Sequence, residues 1–452
     1  MVTTNSAICV VAANRSTIIK KAFFAGFLLS LSLFPPSAVL AQTPIPASFM
    51  GMNTVKATDF PPLPIGMLGH PPTLAWGWIE RSKGKFTWTG FDLYANDAVS
   101  NGIDMVLTFG STPGWAAADP SSCKMSFSVI ICTSPPANIQ DWIDFVTAVV
   151  AHFNGVTAPH IRYYELWNEA NARNFWSGTY ADMVQLASAA YPIIHTDPYS
   201  ILLTPSVAGP FGGTSPVDGA TWMANYLDAG GSLYADGASW HGYLARTGVT
   251  PYPMPEQDVT SGCVPFQTCF GSITTKATTM RAVFDNHGLA GVPMYNTEGS
   301  WGDGNVTDPD VQAAWLARWY LLQAGIAAST NLQTAHWYTW GGGAGQTWGD
   351  IENDDGTPTE AGVAYATIFN WLVGSIIAQP CAPISTNSSV WTCELSLWNG
   401  QPAEAVWDTS GGTSSYIFPT GYTQYQDLAG NLNLVGSDGT VTVEARPILL
   451  MP

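Results

Sequence analysis

Basic residues are scarce in this 452-residue chain, which has 15 lysines and arginines against 33 aspartates and glutamates and a formal net charge of −18. A surface with this excess of negative charge repels phosphate backbones and anionic lipid headgroups. The composition therefore excludes nucleic acid and the membrane surface as expected partners. It does not exclude a neutral polymer.

Metal-binding patterns are also missing. The seven histidines form no ligand motif, and the cysteines lack the spacing of a zinc site. The acidic cluster Asp350, Glu352, Asp354 and Asp355 does not have the spacing of a calcium loop. We therefore expect no metal and no cofactor.

Long apolar runs are absent after the first 41 residues. Before that point, Arg15, Lys20 and Lys21 precede an apolar run from residue 22 to 33, and small residues end the segment at Ala41. This is the layout of a secretory signal peptide, and the run is shorter than the ~20 residues that a membrane-spanning helix needs. Residues 1–41 are thus interpreted as a signal peptide. The rest is expected to be secreted or periplasmic, free of the membrane and monomeric.

Six cysteines remain after the signal peptide, and they lie in three close pairs. In an exported protein, such pairs favour local disulfides over free buried thiols. The predicted bonds are Cys123–Cys132, Cys263–Cys269 and Cys381–Cys393.

Short apolar runs alternate with helical patterns through most of the chain, which predicts a parallel sheet with crossover helices. The expected fold is α/β, a (β/α)₈ barrel in residues 42–378. The predicted strands are Phe49–Thr54, Thr73–Trp78, Ile103–Thr108, Tyr163–Trp167, Ile201–Thr204, Ala238–Tyr243, Met294–Thr297 and Thr334–Thr339. The predicted helices include 138–153, 179–195, 308–325 and a closing helix at 359–374.

The amino-acid composition and the sequence pattern change near Cys381. Residues 379–452 are rich in Thr, Ser, Gly and Val, with alternating runs at 403–407 and 441–443 and turn signals such as Asn399-Gly400. They are interpreted as a small β-sandwich. Two long loops, which contain the Cys123 and Cys263 pairs, follow predicted strands and belong to the rim where barrel enzymes build their active sites.

Two carboxylates each end a predicted strand. Glu169 follows Trp167-Asn168 after the fourth strand, and Glu298 ends the seventh with Gly299 beside it. Glycoside hydrolysis needs one carboxylic acid and one carboxylate on either side of the scissile bond, and barrel closure brings these two strand ends toward each other. Glu165 is interpreted as a hydrogen-bonding residue inside the barrel.

Here the chain resembles the clan A glycoside hydrolases, and within them family 39 and its relatives. The resemblance covers nearly all of the chain after the signal peptide. It is carried by Trp-Asn-Glu at 167–169, the glutamate at 298, Trp-His-Gly-Tyr at 240–243 and the terminal sandwich, together with Trp78-Ile79-Glu80 and residues 84–88 near the start.

The resemblance implies a role for each matching residue. Glu169 would be the acid/base and Glu298 the nucleophile of a retaining enzyme, with Asn168 binding the 2-hydroxyl of the sugar. His241 and Tyr243 would lie in the pocket, although packing in the barrel core remains the alternative for both. We expect Glu169 to be protonated and Glu298 to be ionised, with Tyr243 donating to it. Trp340 would form an aromatic floor under the reacting sugar, and a buried tryptophan is the alternative.

Trp78 and Trp115 lie on predicted rim segments, where rings can stack on sugar faces. Together these features predict a secreted retaining glycoside hydrolase acting on a β-linked poly- or oligosaccharide. An exo-acting β-glycosidase such as a β-xylosidase is the alternative enzyme. A non-catalytic carbohydrate-binding protein is the alternative of another class.

Overall fold

Eight short parallel strands form one sheet in the computed structural model, which describes residues 43–69, 76–126, 129–208, 217–244, 253–258, 271–301, 306–342, 349–436 and 438–452. The sheet order is β5-β4-β3-β2-β1-β8-β7-β6, and parallel bridges Leu203–Gly237 and Ala208–His241 join its two ends. The predicted (β/α)₈ barrel is thereby confirmed. The strands are β1 Met50–Thr54, β2 Met67–Gly69, β3 Asp104–Thr108, β4 Tyr163–Glu165, β5 Ile201–Leu203, β6 Ala238–His241, β7 Met294–Glu298 and β8 Leu332–Trp340.

The second strand differs from the prediction of Thr73–Trp78. Met67–Gly69 pairs with β1 and β3, whereas Trp76–Ile79 is a short helix, and residues 73–75 lie outside the described residues. The helix is held across the end of β3, because the Trp76 amide donates to the carbonyl of Gly110 and its ring stacks on Phe145 at 5.1 Å. The aromatic run therefore packs over the end of the barrel rather than pairing in the sheet.

Helices surround the barrel and begin at the residues that the sequence indicates. Asn138 caps α3 by accepting from the Gln140 amide, and Thr179 forms a capping box with Asp182 at the start of α4. Helix α7 continues past the predicted end at 325 to Asn331, whose left-handed φ of 54° terminates it. The helices are α1 Trp76–Ile79, α2 Thr89–Ser100, α3 Ile139–His152, α4 Tyr180–Ile194, α5 Gly219–Asp228, α6 Ile273–Asn286, α7 Pro309–Thr330 and α8 Glu360–Leu372.

Antiparallel strands follow α8 and form the expected sandwich. One sheet has six strands in the order β9-β10-β11-β16-β13-β14, and β12 pairs with β15. The first of these strands begins at Ile376, three residues before the predicted boundary at 379. The strands are β9 Ile376–Ile384, β10 Asn387–Ser396, β11 Pro402–Asp408, β12 Ser414–Ile417, β13 Gln424–Gln426, β14 Leu432–Leu434, β15 Thr440–Val443 and β16 Ile448–Met451.

Two of the three predicted disulfides are present. Cys381–Cys393 joins β9 to β10, and Cys123–Cys132 joins the two longer strands of a small antiparallel sheet in the rim loop after β3. The Cys263–Cys269 pair lies outside the described residues. Within the described ranges, no helix is long and apolar enough to cross a membrane.

The barrel and the sandwich pack against each other within one compact unit. Arg318 of α7 is fully buried and makes a bidentate ion pair with Glu256, with Nε–Oε1 2.7 Å and Nη2–Oε2 2.5 Å. The indole of Trp407 in the sandwich donates to the same Glu256 carboxylate at 3.0 Å. A second ion pair, between Arg446 and Asp310, is largely exposed.

The lower part of the barrel interior is filled by apolar side chains from several strands. Residues two apart on a strand share a face, so these side chains lie one pleat below the next inward-facing residues toward the rim. We call this set the apolar layer, consisting of Met67, Val106, Leu203 and Tyr295 with the partly buried Tyr163 and Ile201 packed against them.

Candidate active site

Glu169 lies just beyond the end of β4, in a backbone conformation that non-glycine residues seldom adopt. Its φ is +38°, and its amide donates to the Ser206 hydroxyl at 3.1 Å. Such conformations persist where surrounding structure holds them, and they cluster at active sites. The side chain is 16% exposed, so the carboxylate reaches the solvent side of the barrel rim.

Glu298 is the last residue of β7 and is held from several sides. The amide of Gly242 donates to its carbonyl at 2.6 Å, and the Tyr243 hydroxyl donates to its Oε2 at 2.8 Å. The next residue must be glycine, because a Cβ on Gly299 would lie 2.5 Å from the ring of Trp319. The side chain keeps 11% of its surface exposed, enough to meet a small reactant from the rim.

His241 lies between the two carboxylates. Its Nδ1 is 3.0 Å from Oε1 of Glu169 and 3.5 Å from Oε2 of Glu298. One oxygen of each carboxylate and one ring nitrogen all lie within 4.8 Å of one another. The ends of β4, β6 and β7 thus bring together three of the residues that the sequence singles out.

The imidazole of His241 is fully buried, and burial alone would lower its pKa. The carboxylates of Glu298, Glu169 and Glu165 outweigh burial and raise the pKa of His241 to about 9. At neutral pH the ring is therefore a cation that lies within hydrogen-bonding or ion-pairing distance of both carboxyl groups.

The Glu298 carboxyl is expected to be ionised as a nucleophile, and its buried surroundings act against ionisation. Burial raises the pKa of the Glu298 carboxyl to about 7, helped by the charges of Glu169 and Glu165 and opposed by His241 and the Tyr243 hydroxyl. The environment of Glu298 therefore favours the protonated form of this carboxyl in the free protein. Because the two carboxyls and the imidazole interact strongly, the protons belong to the group as a whole.

Comparisons with solved structures agree with this architecture. The chain is similar to a family 39 glycoside hydrolase from Bacteroides cellulosilyticus WH2, with a TM-score of 0.64 and 18% identity over 86% of this chain and 75% of that one. It is also similar to a monomeric β-xylosidase from Caulobacter crescentus CB15, with a TM-score of 0.61 and 15% identity over 91% and 98% of the two chains. A third neighbour is a glycoside hydrolase family 30 endoxylanase from Clostridium papyrosolvens C71, with a TM-score of 0.55 and 11% identity over 91% and 97%.

These similarities establish the fold. No protein-family model and no curated protein sequence matches the chain.

Asn168 precedes Glu169 and is buried, with 3% of its surface exposed. Its side-chain oxygen makes no hydrogen bond to any of the described residues. A buried amide oxygen without a donor is costly, and a hydroxyl group of a ligand would satisfy it. This is consistent with the expected contact to a sugar hydroxyl.

The expected aromatic floor is not where the resemblance implies. Trp340 has no exposed surface, so neither face of its ring is open to a sugar. Two residues earlier, Tyr338 is only partly buried, and its ring centroid lies 6.3 Å from that of Tyr243. Burial and the nearby Glu298 and Glu169 carboxylates raise the pKa of Tyr338. Tyr338 is therefore the aromatic residue of β8 that faces the site.

Trp78 and Trp115 are held near the rim by their own neighbours. The indole of Trp115 donates to the Glu80 carbonyl at 2.8 Å, and the guanidinium of Arg81 lies 5.1 Å from the ring of Trp78. Both rings are partly buried. Their contact with a sugar stays a prediction.

A ring of polar side chains, which includes Glu165, lies directly below the two carboxylates. Hydrogen bonds connect its members across the barrel interior. Asn53 Nδ2 donates to the Thr297 carbonyl at 3.2 Å, and Asn53 Oδ1 accepts from His336 Nδ1 at 2.9 Å. We call this set the polar layer, consisting of Asn53, Thr108, Glu165, Ser239, Thr297 and His336. Glu165 is the member that the sequence places inside the barrel as a hydrogen-bonding residue; the other residue types are ordinary for strands, so the sequence does not single them out.

Two carboxylates and an imidazole are also donor types that a divalent cation accepts. Among the described residues, Glu169, His241 and Glu298 are the set that satisfies this geometry. The same three residues are therefore compatible with metal-free acid/base chemistry and with a metal-ion site. Activity measured in the presence of a chelator distinguishes these two kinds of site.

Proposed function

We propose that this protein is a retaining glycoside hydrolase in which Glu298 is the nucleophile and Glu169 the acid/base. The observation that carries the proposal is the spacing of the two carboxylates, whose nearest ligand oxygens lie within 4.8 Å. Retaining enzymes place their carboxyl groups about 5–5.5 Å apart, whereas inverting enzymes need roughly 6.5–9.5 Å to admit a water molecule between them. The spacing supports double displacement.

In the first step, Glu298 attacks the anomeric carbon as the glycosidic C–O bond breaks, and Glu169 gives its proton to the leaving oxygen. A covalent glycosyl ester on Glu298 results. In the second step, Glu169 takes a proton from water, the water oxygen attacks the anomeric carbon, and the ester bond to Glu298 breaks. The sugar leaves with its original anomeric configuration.

His241 and Tyr243 prepare these steps. The buried imidazolium contacts both carboxylates, and the Tyr243 hydroxyl donates to Glu298 Oε2. The arrangement is formed before a substrate arrives, and such preorganised charges lower the cost of reaching a charged transition state. Asn168 would offer its unpaired oxygen to the sugar 2-hydroxyl, and Tyr338 would contact the ring at the rim.

The proposed substrate is a β-linked poly- or oligosaccharide. Two of the similar structures are described as a β-xylosidase and an endoxylanase, so xylosides are the first probes to choose. The disulfide-bonded rim hairpin after β3 supports a cleft suited to a chain of sugars, and an exo-acting β-glycosidase remains the alternative enzyme. Two disulfides suit an exported protein, and export and a monomeric state are part of the proposal.

The roles of the two carboxylates are tested with Glu298→Ala, Glu169→Ala and an aryl β-xyloside whose leaving group needs little protonation. Glu298→Ala should lose turnover, because no covalent ester can form. Glu169→Ala should retain the first step and slow in the second, and added azide should restore turnover and release a β-glycosyl azide. An α-azide from Glu169→Ala would mean that the roles are reversed.

Three controls complete the experiment. NMR of the first product should show the retained anomer, and an inverted anomer contradicts double displacement. Activity should persist in excess chelator, and its loss would favour a metal-dependent reaction at the same three residues. A panel of aryl β-glycosides and xylan fragments on which the wild-type protein shows no turnover would favour a non-catalytic carbohydrate-binding protein.

A further inference from the structure

A third glutamate lies in the barrel interior beneath the two proposed catalytic carboxylates. Glu165 is the last residue of β4, four positions before Glu169, and only 1% of its surface is exposed. It has no lysine or arginine partner among the described residues. A buried carboxylate without such a partner is costly unless hydrogen bonds compensate for lost water.

Hydroxyl groups from three other strands supply these hydrogen bonds. Thr108 of β3 donates to Oε2 at 3.0 Å, and Thr297 of β7 donates to Oε1 at 2.7 Å. The Ser239 hydroxyl of β6 also donates to Oε1. Three donors thus satisfy the two oxygens of this buried side chain.

These contacts connect the strands that carry the chemistry. Thr297 is the residue before Glu298, Ser239 lies two residues before His241, and Glu165 leads directly into the segment that ends at Glu169. Neighbouring strands of the barrel are joined by backbone hydrogen bonds, but β4 and β7 are not neighbours in the sheet. The Glu165–Thr297 bond is thus a direct side-chain connection across the barrel from the strand of one catalytic carboxylate to the strand of the other.

We propose that Glu165 is a positioning residue that sets the separation of Glu169 and Glu298 through its hydrogen bonds to Thr297 and Ser239. This inference rests on the proposed function. The cross-barrel bonds fix the height and rotation of the two strand ends relative to each other. Because displacement of a reacting group by about 1 Å can cost on the order of 100-fold in rate, a small shift of either strand end would matter.

The charge of Glu165 adds a second effect. It acts on His241 and on Glu298, raising the pKa of both. The groups that face Glu298 are Glu169 from the β4 end, His241 and Tyr243 from the β6 end, and Tyr338 from β8. Removal of the Glu165 charge should therefore shift the titration of the whole group toward lower pH.

The test uses Thr297→Val, which removes one hydroxyl and keeps the side-chain shape. Its matched control is Thr334→Val, because Thr334 is similarly buried in the barrel, on β8, and its hydroxyl makes no hydrogen bond to the residues that the structure describes. Thr297→Ser restores the hydroxyl and serves as the rescue variant. Glu165→Gln removes the charge. Steady-state kinetics with an activated aryl β-glycoside are measured for all four across a range of pH.

Thr297→Val should lower kcat by about 10- to 100-fold while KM changes less than about threefold, since the substrate-binding residues stay in place. Thr297→Ser and Thr334→Val should stay within about threefold of the wild type in kcat. Glu165→Gln should lower kcat and move the acidic limb of kcat/KM down by on the order of one pH unit. If Glu165→Gln fails to fold, the three threonine variants decide the question.

Two results would overturn the inference. One is a Thr297→Val variant with the kcat of the wild type, and the other is a Thr334→Val variant that loses as much as Thr297→Val. Either result leaves the proposed function standing, because that proposal depends on turnover by the wild type and on the azide products of the Glu169 and Glu298 variants.

Discussion

The apolar layer and the polar layer occupy the same barrel interior, one pleat apart, and they contrast in chemistry. In the apolar layer, Leu203 and Tyr295 pack with Met67 and Val106. In the polar layer, Glu165 takes the place one pleat above Tyr163, and hydroxyls surround it. Apolar side chains fill the space where only packing is needed, and directional hydrogen bonds appear immediately below the reacting groups.

The two layers differ in what they contribute: the apolar layer favours stability, and the polar layer fixes the geometry of the strand ends. Burial of apolar surface is favourable but non-directional, so it tolerates small displacements. Hydrogen bonds between buried polar groups contribute little net free energy, yet they fix the mutual orientation of the strands. The polar layer should therefore matter for rate, and the apolar layer for the free energy of unfolding.

The largest effect on stability is expected from Leu203→Ala in the apolar layer. Deleting a fully buried leucine side chain costs about 2–5 kcal/mol through lost burial and the cavity that remains. Denaturant unfolding measures the loss, and kcat per folded molecule should stay near that of the wild type. Leu434→Ala, at a position 82% exposed, is the control that should change little. A large fall in kcat for folded Leu203→Ala would contradict the division between the layers.

Glu298→Gln should stabilise the protein while abolishing turnover. The pKa of this carboxyl is raised to about 7 in the folded protein from an ordinary value of 4.5, so its stabilising contribution is complete below pH 4.5 and is lost as the pH rises through 7. At pH 8 and above, the variant should gain on the order of 3 kcal/mol. Thermal melts at pH 4 and pH 8 compare the two proteins. A gain of equal size at both values would disprove the role of ionisation.

His336 of the polar layer should make the folded state sensitive to acid. Burial and the His241 cation lower the pKa of His336 to about 3, so its contribution is complete above about pH 6.5 and is lost as the pH falls toward 3. Between pH 7 and pH 5, wild-type stability should fall more than that of His336→Gln, by roughly 2 kcal/mol. Other groups titrate in both proteins, so the difference isolates His336. Parallel curves for the two proteins would count against a neutral buried imidazole.

The last prediction concerns the pH dependence of turnover. Nucleophilic attack needs ionised Glu298, whose pKa is about 7, so kcat/KM should decrease about tenfold for each pH unit below that value. The measurement is kcat/KM for an aryl β-xyloside between pH 4 and pH 9. A profile that stays flat down to pH 5 would show that the free protein does not hold this proton on Glu298.

The sequence predicts the barrel because its strong helices have clear caps, such as Thr179 and Asp308, and because strand ends at Glu169 and Glu298 carry conspicuous residues. It misplaces the second strand for a physical reason. Met67–Gly69 has three residues and no β-branched side chain, whereas the aromatic residues near Trp76 look like a strand but pack onto Phe145.

The details of the site depend on contacts between distant residues, which one sequence does not reveal. Tyr338 lies near the Glu298 and Glu169 carboxylates, whereas Trp340, two residues later on the same strand, is fully buried. The protonation of Glu298 is set by the combination of burial, His241 and Glu169. Glu165 is separated from Thr297 by 132 positions, so their bond is invisible until the barrel closes.

The Glu256 carboxylate links the barrel to the sandwich, so the two parts are not easily separated from each other. Three segments far apart in the chain meet there: a rim loop of the barrel, helix α7 through Arg318, and the sandwich through Trp407. Removal of residues 376–452 would take away the indole and open a buried arginine–glutamate pair to water at the barrel surface. We therefore expect the sandwich and the barrel to unfold together in one transition rather than behave as interchangeable modules.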